Sequence, residues 1–354
     1  MSNTYPLSLS FVIPAYNAEK TITRTLDSIF RLTLDRADFE VVVVDDCSKD
    51  NTPAVIEAYA SSHPNVVLLR QPENHRQGAA RNRGIAAAKG EYIAFVDADD
   101  EVAEGLVVAL KKGLENKVDM VLMGIRHLMN GKFAEEFLTD ADDGVMDAAA
   151  LFEKYTMDKW SFWVHVWTYL WQHEFLDKVN RPFVEDMLFE DTDFLWHHLL
   201  RAQRVTTCSD VAYLYFQTQG STARTLDWRH LSDHQLLIVR IMQEVFPPEH
   251  ASEQIVALSH KIKEERAWKF KELTKIHMLT KLDLKALRRL YANLDAHCDR
   301  ASVWQAISTT PYLSPAKTSW VKLFLHHKHL TISLAYTRHL LREVKYLFKK
   351  KQGE

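Results

Sequence analysis

Carboxylates carry most of the chemistry available to this chain. Phe95-Val96-Asp97-Ala98-Asp99-Asp100-Glu101 places four acidic side chains within five residues at the end of an apolar run. Unpaired, such neighbours repel one another. A divalent cation would remove the repulsion. An oxygen-only donor set suits Mg²⁺ or Mn²⁺, ions that share their coordination with substrate phosphates. A strand-to-helix turn capped by aspartate is the competing reading. A second acidic pair, Glu190-Asp191, opens an amphipathic helix at Phe189-Glu190-Asp191-Thr192-Asp193-Phe194. Acidic residues favour a helix start for dipole reasons alone. The chemical reading is a general base that deprotonates an alcohol. Glu185-Asp186 is a similar pair that does not directly open a helix.

Four further segments could bind a ligand. Val12-Ile13-Pro14-Ala15-Tyr16-Asn17 ends a strand and turns out over a sheet edge, where a flat ring could be held. Val44-Asp45-Asp46-Cys47-Ser48-Lys49-Asp50-Asn51-Thr52 sets two carboxylates at the tip of a four-valine run. A carboxylate such as Asp46 can accept the N–H of a base like uracil, whereas Ser48, Asp50 and Thr52 suit helix capping. In the stretch from Asn74 to Gly84, small residues open a helix that could face a phosphate, and Arg76, Arg81 and Arg83 add positive charge. An ordinary basic helix face explains any one of these arginines equally well. Finally, the polar loop Tyr215 to Arg224 could close over a diphosphate.

These segments need a scaffold. Short apolar runs at 9–13, 39–44, 66–69, 92–96 and 118–124 read as buried parallel strands. Helical stretches at 18–31, 52–62 and 78–89 alternate with them, so an α/β sheet with right-handed crossovers is expected. Such sheets bind ligands beyond the carboxyl ends of their strands. A loop-rich stretch is expected up to Asp143, then an aromatic segment over 147–180. A helix over 191–203, a strand over 211–216 and helices from about 230 onward complete the pattern.

With 354 residues and 47% hydrophobic content the chain can bury a sizeable core, which argues against disorder. Three cysteines form neither a disulfide framework nor a CxxC metal site. No signal peptide and no apolar run long enough to span a membrane is read, so a cytoplasmic protein is expected. The net charge of −3 hides an asymmetry: residues 1–250 hold 24 Lys+Arg against 38 Asp+Glu, and residues 251–354 hold 20 against 9. The basic amphipathic pattern over 320–351 reads as a peripheral anchor on the inner face of a membrane. Packing on the body, or at a homodimer interface, is the alternative.

Taken in order, V-I-P-A-Y-N, V-V-V-D-D-C-S-K-D-N-T, A-A-R-N-R-G-I, G-E-Y-I-A-F-V-D-A-D-D and F-E-D-T-D-F closely resemble family 2 of the nucleotide-sugar-dependent glycosyltransferases. The strong part covers residues 9–101 and a weaker part continues to about 225. The resemblance implies a GT-A fold: α/β, Rossmann-like, with a mixed, mostly parallel sheet flanked by helices. It divides the chain into a glycosyltransferase domain over 1–228 and a basic helical C-terminal region over 229–354. Within the first, 1–125 would bind the nucleotide and 126–228 the acceptor.

The resemblance also implies roles. Pro14, Tyr16, Asp45 and Asp46 would line the base pocket, with Arg76, Arg81 and Asp97 also on the nucleotide-sugar. Asp99, together with Asp97 or else Asp100, would act on the diphosphate through Mn²⁺ or Mg²⁺. Asp191 would be the catalytic base, supported by Glu190. Trp167 and Trp171 fall where the acceptor cleft is lined. Two positions depart from the pattern: Arg76 and Cys47 each stand where glycine is usual. Cysteine is neutral at 47 unless the backbone there requires φ > 0.

The implied activity is inverting, metal-dependent hexosyl transfer from a UDP-sugar to a hydroxyl of a glycan or lipid-linked acceptor, in cell-surface polysaccharide synthesis. Nucleic acid is not an expected partner. A nucleotidyl or phosphoryl transferase would need a phosphate-activating lysine, and none stands in these motifs. A non-catalytic scaffold is the reading from another class.

Overall fold

A computed structural model describes residues 5–140, 144–155 and 165–217, together with scattered positions between 233 and 292. In chain order the elements are β1 (Leu7–Ala15), α1 (Ile22–Phe30), β2 (Phe39–Asp45), α2 (Thr52–Ala60), β3 (Val66–Arg70), α3 (Arg76–Ala87), β4 (Gly90–Phe95) and β5 (Glu101–Val102). Then follow α4 (Gly105–Asn116), β6 (Met120–Met129), β7 (Lys132–Phe137), α5 (Ala148–Tyr155), a 3₁₀ turn (Val166–Thr168), β8 (Tyr169–Gln172), α6 (His173–Val179), α7 (Glu190–Leu199) and β9 (Val205–Gln217). Compact units divide at Ser221: Met1–Ser221 with Pro247–Ile255 form one, and the remaining residues the other. In the second unit the described residues Asp233, Leu236, Leu237 and Arg240 are helical. The basic pattern over 320–351 lies outside the described residues, as do Thr218 to Arg224.

One nine-stranded sheet runs β3-β2-β1-β4-β8-β6-β9-β5, with β7 added beside β6. The expected mixed, mostly parallel sheet is present. The first four strands are parallel. β8 then runs antiparallel to both of its neighbours, and β6 pairs β9 in parallel. Every residue of β2 is buried, as expected of a central strand covered on both faces. Alternation sends Val42 and Val44 to one face, where Ala80 of α3 packs on them. Phe39 faces the other way and meets Phe11 and Phe30 edge-on at 5.8 and 5.7 Å.

Besides the two-residue β5, two strands escape the sequence pattern. β8 is only four residues, Tyr169 to Gln172, inside the aromatic segment, and without turn residues at its ends nothing marks it as a strand. β7 lies in the stretch expected to be loop. Its first four residues are exposed, so it carries no core-facing apolar alternation. β9 also begins six residues earlier than expected, through the polar stretch Val205 to Asp210. The β6–β9 register shifts around Gly124, where an added Cβ would lie 2.5 Å from Asp210 O.

Close helix–sheet contact positions α3. A Cβ on Gly84 would lie 2.3 Å from Val12 Cγ1 of β1. Gly84→Ala should therefore push α3 away from the strand and cost about 1–3 kcal/mol of stability, read as a lower Tm in thermal denaturation.

Candidate active site

Parallel β2, β1 and β4 lie side by side, so their carboxyl ends share one edge, where ligands bind in such sheets. The loops leaving β1 and β2 are laced together. The Asn17 N–H donates to Ser48 Oγ at 3.0 Å, the Lys49 N–H to Asn17 Oδ1 at 2.8 Å, and the Ala18 N–H to Thr52 Oγ1 at 2.7 Å. Asp50 accepts from the Thr52 N–H at 3.0 Å, the capping role expected of it. Above this floor Tyr16 is 48% exposed, whereas Asp45 and Asp46 are buried. Both Asp45 oxygens lie 3.4 Å from the Ser48 N–H. Asp46 Oδ1 accepts from Gln71 Nε2 at 2.6 Å and the His75 N–H at 2.9 Å. Burial raises the Asp46 pKa, and these donors act against it. Asp46 thus ties the tip of β2 to the loop that opens α3.

That loop explains the two departures from glycine. Cys47 has φ +61° and Arg76 has φ +66°, both left-handed. Cysteine at 47 is therefore not neutral. Each side chain strains its backbone by roughly 1 kcal/mol relative to glycine.

Beyond β4, the three aspartates part company. Asp100 is buried and its carboxylate is engaged within the protein: Tyr213 Oη donates to Oδ2 at 2.7 Å and the Phe216 N–H to Oδ1 at 2.7 Å. Burial first, then the charges of Asp99 and Asp97, push its pKa well up. Its role is to anchor the acidic turn to β9. Asp97 is one-fifth exposed and accepts from Arg81 Nη2 at 2.9 Å. Asp99 reaches solvent, and its backbone carbonyl accepts from Arg24 Nη2. Enclosure by the surrounding protein and the charge of Asp97 push its carboxyl up to about 6.

Arg81 of α3 joins this turn to α7. Its Nη1 donates to Glu190 Oε1 at 2.5 Å while Nη2 holds Asp97. The guanidinium is buried. Burial works against its charge, but Asp97 and Glu190 outweigh that and raise its pKa. Burial pushes Glu190 up to about 7, with Arg81 opposing and Asp191 reinforcing the rise. Asp191, the next residue, points elsewhere: its Oδ2 lies 2.9 Å from His165 Nδ1, and its Oδ1 accepts the Thr192 N–H at 2.9 Å. Burial alone would raise Asp191, yet the His165 bond and charge hold its pKa below the ordinary value.

The structure thus brings Asp97, Arg81, Glu190 and Asp191 into one connected group, with Asp99 beside Asp97. Two of the residues expected to touch ligands are engaged within the protein. Arg81 was expected on the nucleotide-sugar, but both its terminal nitrogens are engaged by carboxylates within the protein. Trp171 was expected at the acceptor cleft, but it is fully buried, donates Nε1–H to Val166 O at 2.9 Å, and packs edge-on against Phe95 and Phe194. Trp167 is also buried, yet it stacks on His165 beside Asp191. The sequence reading missed His165, Tyr213, Gln71 and Arg24. A lone histidine 26 positions before Asp191 carries no spacing signal. The hydroxyl of Tyr213, in a strand recognised only as apolar, gave no hint of Asp100.

A divalent cation fits the donors present. Among the described residues no three His, Cys, Asp or Glu side chains converge into a closed metal site. Asp97 and Asp99 offer two neighbouring carboxylates, and the charge of Asp97 raises the Asp99 pKa. Such an open, oxygen-only pair suits a hard cation whose remaining ligands are water and phosphate oxygens.

The sheet thus carries an acidic turn at the tip of β4 and an acidic pair that opens α7. Residues 10–166 match the family model described as Glycosyl transferase family 2. The chain is 30% identical over 217 residues to the Bacillus subtilis protein called uncharacterized glycosyltransferase EpsJ, covering 60% of this chain and 62% of that one. It is also 30% identical over 214 residues to poly(ribitol-phosphate) beta-N-acetylglucosaminyltransferase TarS of Staphylococcus aureus, covering 59% of this chain and 35% of TarS. In both, the match spans less than two thirds of the relative. The structure of TarS 1–349 in complex with UDP-GlcNAc superposes with a TM-score of 0.65 at 22% identity, covering 93% of this chain and 89% of that one. Mannosyltransferase PcManGT of Pyrobaculum calidifontis, in complex with GDP-Man and Mn²⁺, superposes with a TM-score of 0.53 at 18% identity, covering 95% and 88%. The fold is that of TarS.

Two substitutions test the site's construction. Arg76→Gly should relieve the left-handed strain and raise Tm, by up to about 1 kcal/mol of stability. Arg81→Ala should leave Glu190 and Asp97 without their counter-charge and cost about 3–5 kcal/mol. Arg81→Lys keeps the charge but loses the two-pronged fork, so denaturant unfolding should place it between wild type and Arg81→Ala.

Proposed function

We propose that this chain transfers a sugar from a UDP-sugar to a hydroxyl of a glycan or lipid-linked acceptor in cell-surface polysaccharide synthesis, inverting the anomeric carbon. The observation that carries this is the Arg81 guanidinium. It holds Asp97 of the acidic turn and Glu190 of α7, the neighbour of Asp191, at once. Ligands named with the structural neighbours, UDP-GlcNAc with TarS and GDP-Man with Mn²⁺ for the mannosyltransferase, support the nucleotide-sugar and the metal.

In this reading Tyr16 presents its exposed ring to the base, over a floor built by Pro14, Asp45 and Asp46. Asp97 and Asp99 hold Mn²⁺ or Mg²⁺, which when bound neutralises charge on the diphosphate leaving group. Asp191 takes the proton of the acceptor hydroxyl while that oxygen attacks the anomeric carbon. The bond from that carbon to the UDP oxygen breaks on the opposite face, so one displacement inverts the centre. A carboxylate held ionised is ready to accept that proton. Residues 1–228 act as the transferase domain. The basic region 229–354 brings it to an anionic membrane surface, where a lipid-linked acceptor would lie.

UDP release by the full chain, measured with a panel of UDP-sugars in Mn²⁺ and then in EDTA, tests the proposal. Turnover of one donor that stops on chelation is expected. Failure to bind any UDP-sugar would overturn the donor assignment. Asp191→Asn should lower kcat by about 10²–10⁴-fold with donor KM little changed, as for loss of a general base. Full turnover in that variant would exclude Asp191 as the base.

A further inference from the structure

We propose that His165 is a positioning residue for Asp191, fixing the plane of its carboxylate. The inference rests on reading Asp191 as the general base and adds a second group to that step. It begins with geometry. Asp191 receives a donor on each oxygen, His165 Nδ1 on Oδ2 and the Thr192 N–H on Oδ1, both at 2.9 Å. A carboxylate pinned at both oxygens cannot rotate about its Cβ–Cγ bond without breaking one of these contacts. Because the carboxylate only accepts, the proton shared between them belongs on His165 Nδ1. Nε2 is then the ring nitrogen whose protonation sets the charge.

His165 is itself held from three sides. Its carbonyl accepts the Thr168 N–H at 3.2 Å and the Thr168 hydroxyl at 2.7 Å. Its ring lies on Trp167 at 4.9 Å with an interplanar angle of 4°. Trp167 in turn stacks on Tyr213 at 4.5 Å and on Tyr215 at 5.4 Å. Tyr213 donates to Asp100 and accepts the Asp97 N–H at 3.1 Å. A pile of rings therefore runs from the base to the acidic turn, independent of the Arg81 link. Two separate connections fix Asp191 relative to the acidic turn, and His165 belongs to the second.

The charged groups facing this pair are Asp191, Asp97 and Arg81 around His165, and His165, Arg81 and Glu190 around Asp191. Burial alone would lower the His165 pKa, but the Asp191 bond and the charges of Asp191 and Asp97 raise it, with Arg81 opposing. The signs run together. Asp191 is depressed, so its ionised form, and the pair's stabilising effect, is lost only as pH falls through the lowered value. The share due to the imidazolium is lost as pH rises through the raised His165 value. Removing His165 must therefore move the acid limb of activity upward in pH.

Two variants separate positioning from packing. His165→Phe keeps a ring on Trp167 but no donor. His165→Asn offers an amide N–H near the place of Nδ1 but no positive charge. Both are compared with wild type as full chains, by UDP release from the donor that the panel identifies. His165→Phe should lose about tenfold or more in kcat, as for a misplaced catalytic group, with donor KM near wild type. His165→Asn should recover most of kcat. In both, the acid limb of kcat/KM should move to higher pH. A wild-type kcat and acid limb in His165→Phe would overturn the proposal. So would equal losses in the two variants with the acid limb unmoved, because that is the mark of packing alone. If His165→Phe does not fold, the acid limb of His165→Asn decides. Asp191→Asn, run alongside, separates the two levels: full turnover there removes the base reading itself. An inactive Asp191→Asn beside a wild-type His165→Phe removes only the role of His165.

Discussion

The site depends on one buried cation. Arg81 of α3 has one terminal nitrogen on Asp97 and the other on Glu190. These carboxylates are 93 residues apart in the chain and belong to different elements. An ion buried this deeply is tolerated only if its partners are close and well aligned. The planar guanidinium meets that condition with two donors in a fixed fork. The acidic turn and the acidic pair are both placed relative to that fork. Asp99 follows Asp97 along the turn, and Asp191 follows Glu190 into α7.

The same constraint divides labour among neighbouring acids. Four carboxylates in five residues would repel if all were left alike. The protein resolves this by giving each a different surrounding. Asp100 is consumed by Tyr213 and the Phe216 backbone, Glu101 pairs with Arg24 and Arg31, and Asp97 with Arg81. Of the four, Asp99 is the exposed one, beside the partly exposed Asp97. A cation shared with a diphosphate would find those two carboxylates and no others of the cluster. The Glu190-Asp191 pair shows the same logic: one residue turns to Arg81 and the other to His165, so adjacent acids come to differ in ionisation.

Much of the scaffold was legible because local periodicity dictates it. The valine run of β2, the apolar runs of β1, β3 and β4, and the helices between them follow from burial on both faces and alternate as crossover units must. β7 and β8 were not legible, since one is an exposed edge and the other a four-residue insert chosen by its neighbours. The acidic turn, the acidic pair and the glycine-like positions 47 and 76 could be found from residue type and order. The φ values of Cys47 and Arg76 then explained why glycine is expected there.

Residue types and their order, alone, determined that an acidic turn ends one buried strand, that an acidic pair opens a later helix, and that both sit on an α/β sheet. Those features are local, and local chemistry writes them. Which carboxylate is free and which is consumed was decided only in three dimensions. Arg81 looked like a phosphate contact, Trp171 like an acceptor contact, and His165 like nothing in particular. Their hydrogen-bond partners stand 109, 5 and 26 positions away in the chain. Charge state and hydrogen-bond supply depend on what is near in space, and a linear pattern does not contain that distance.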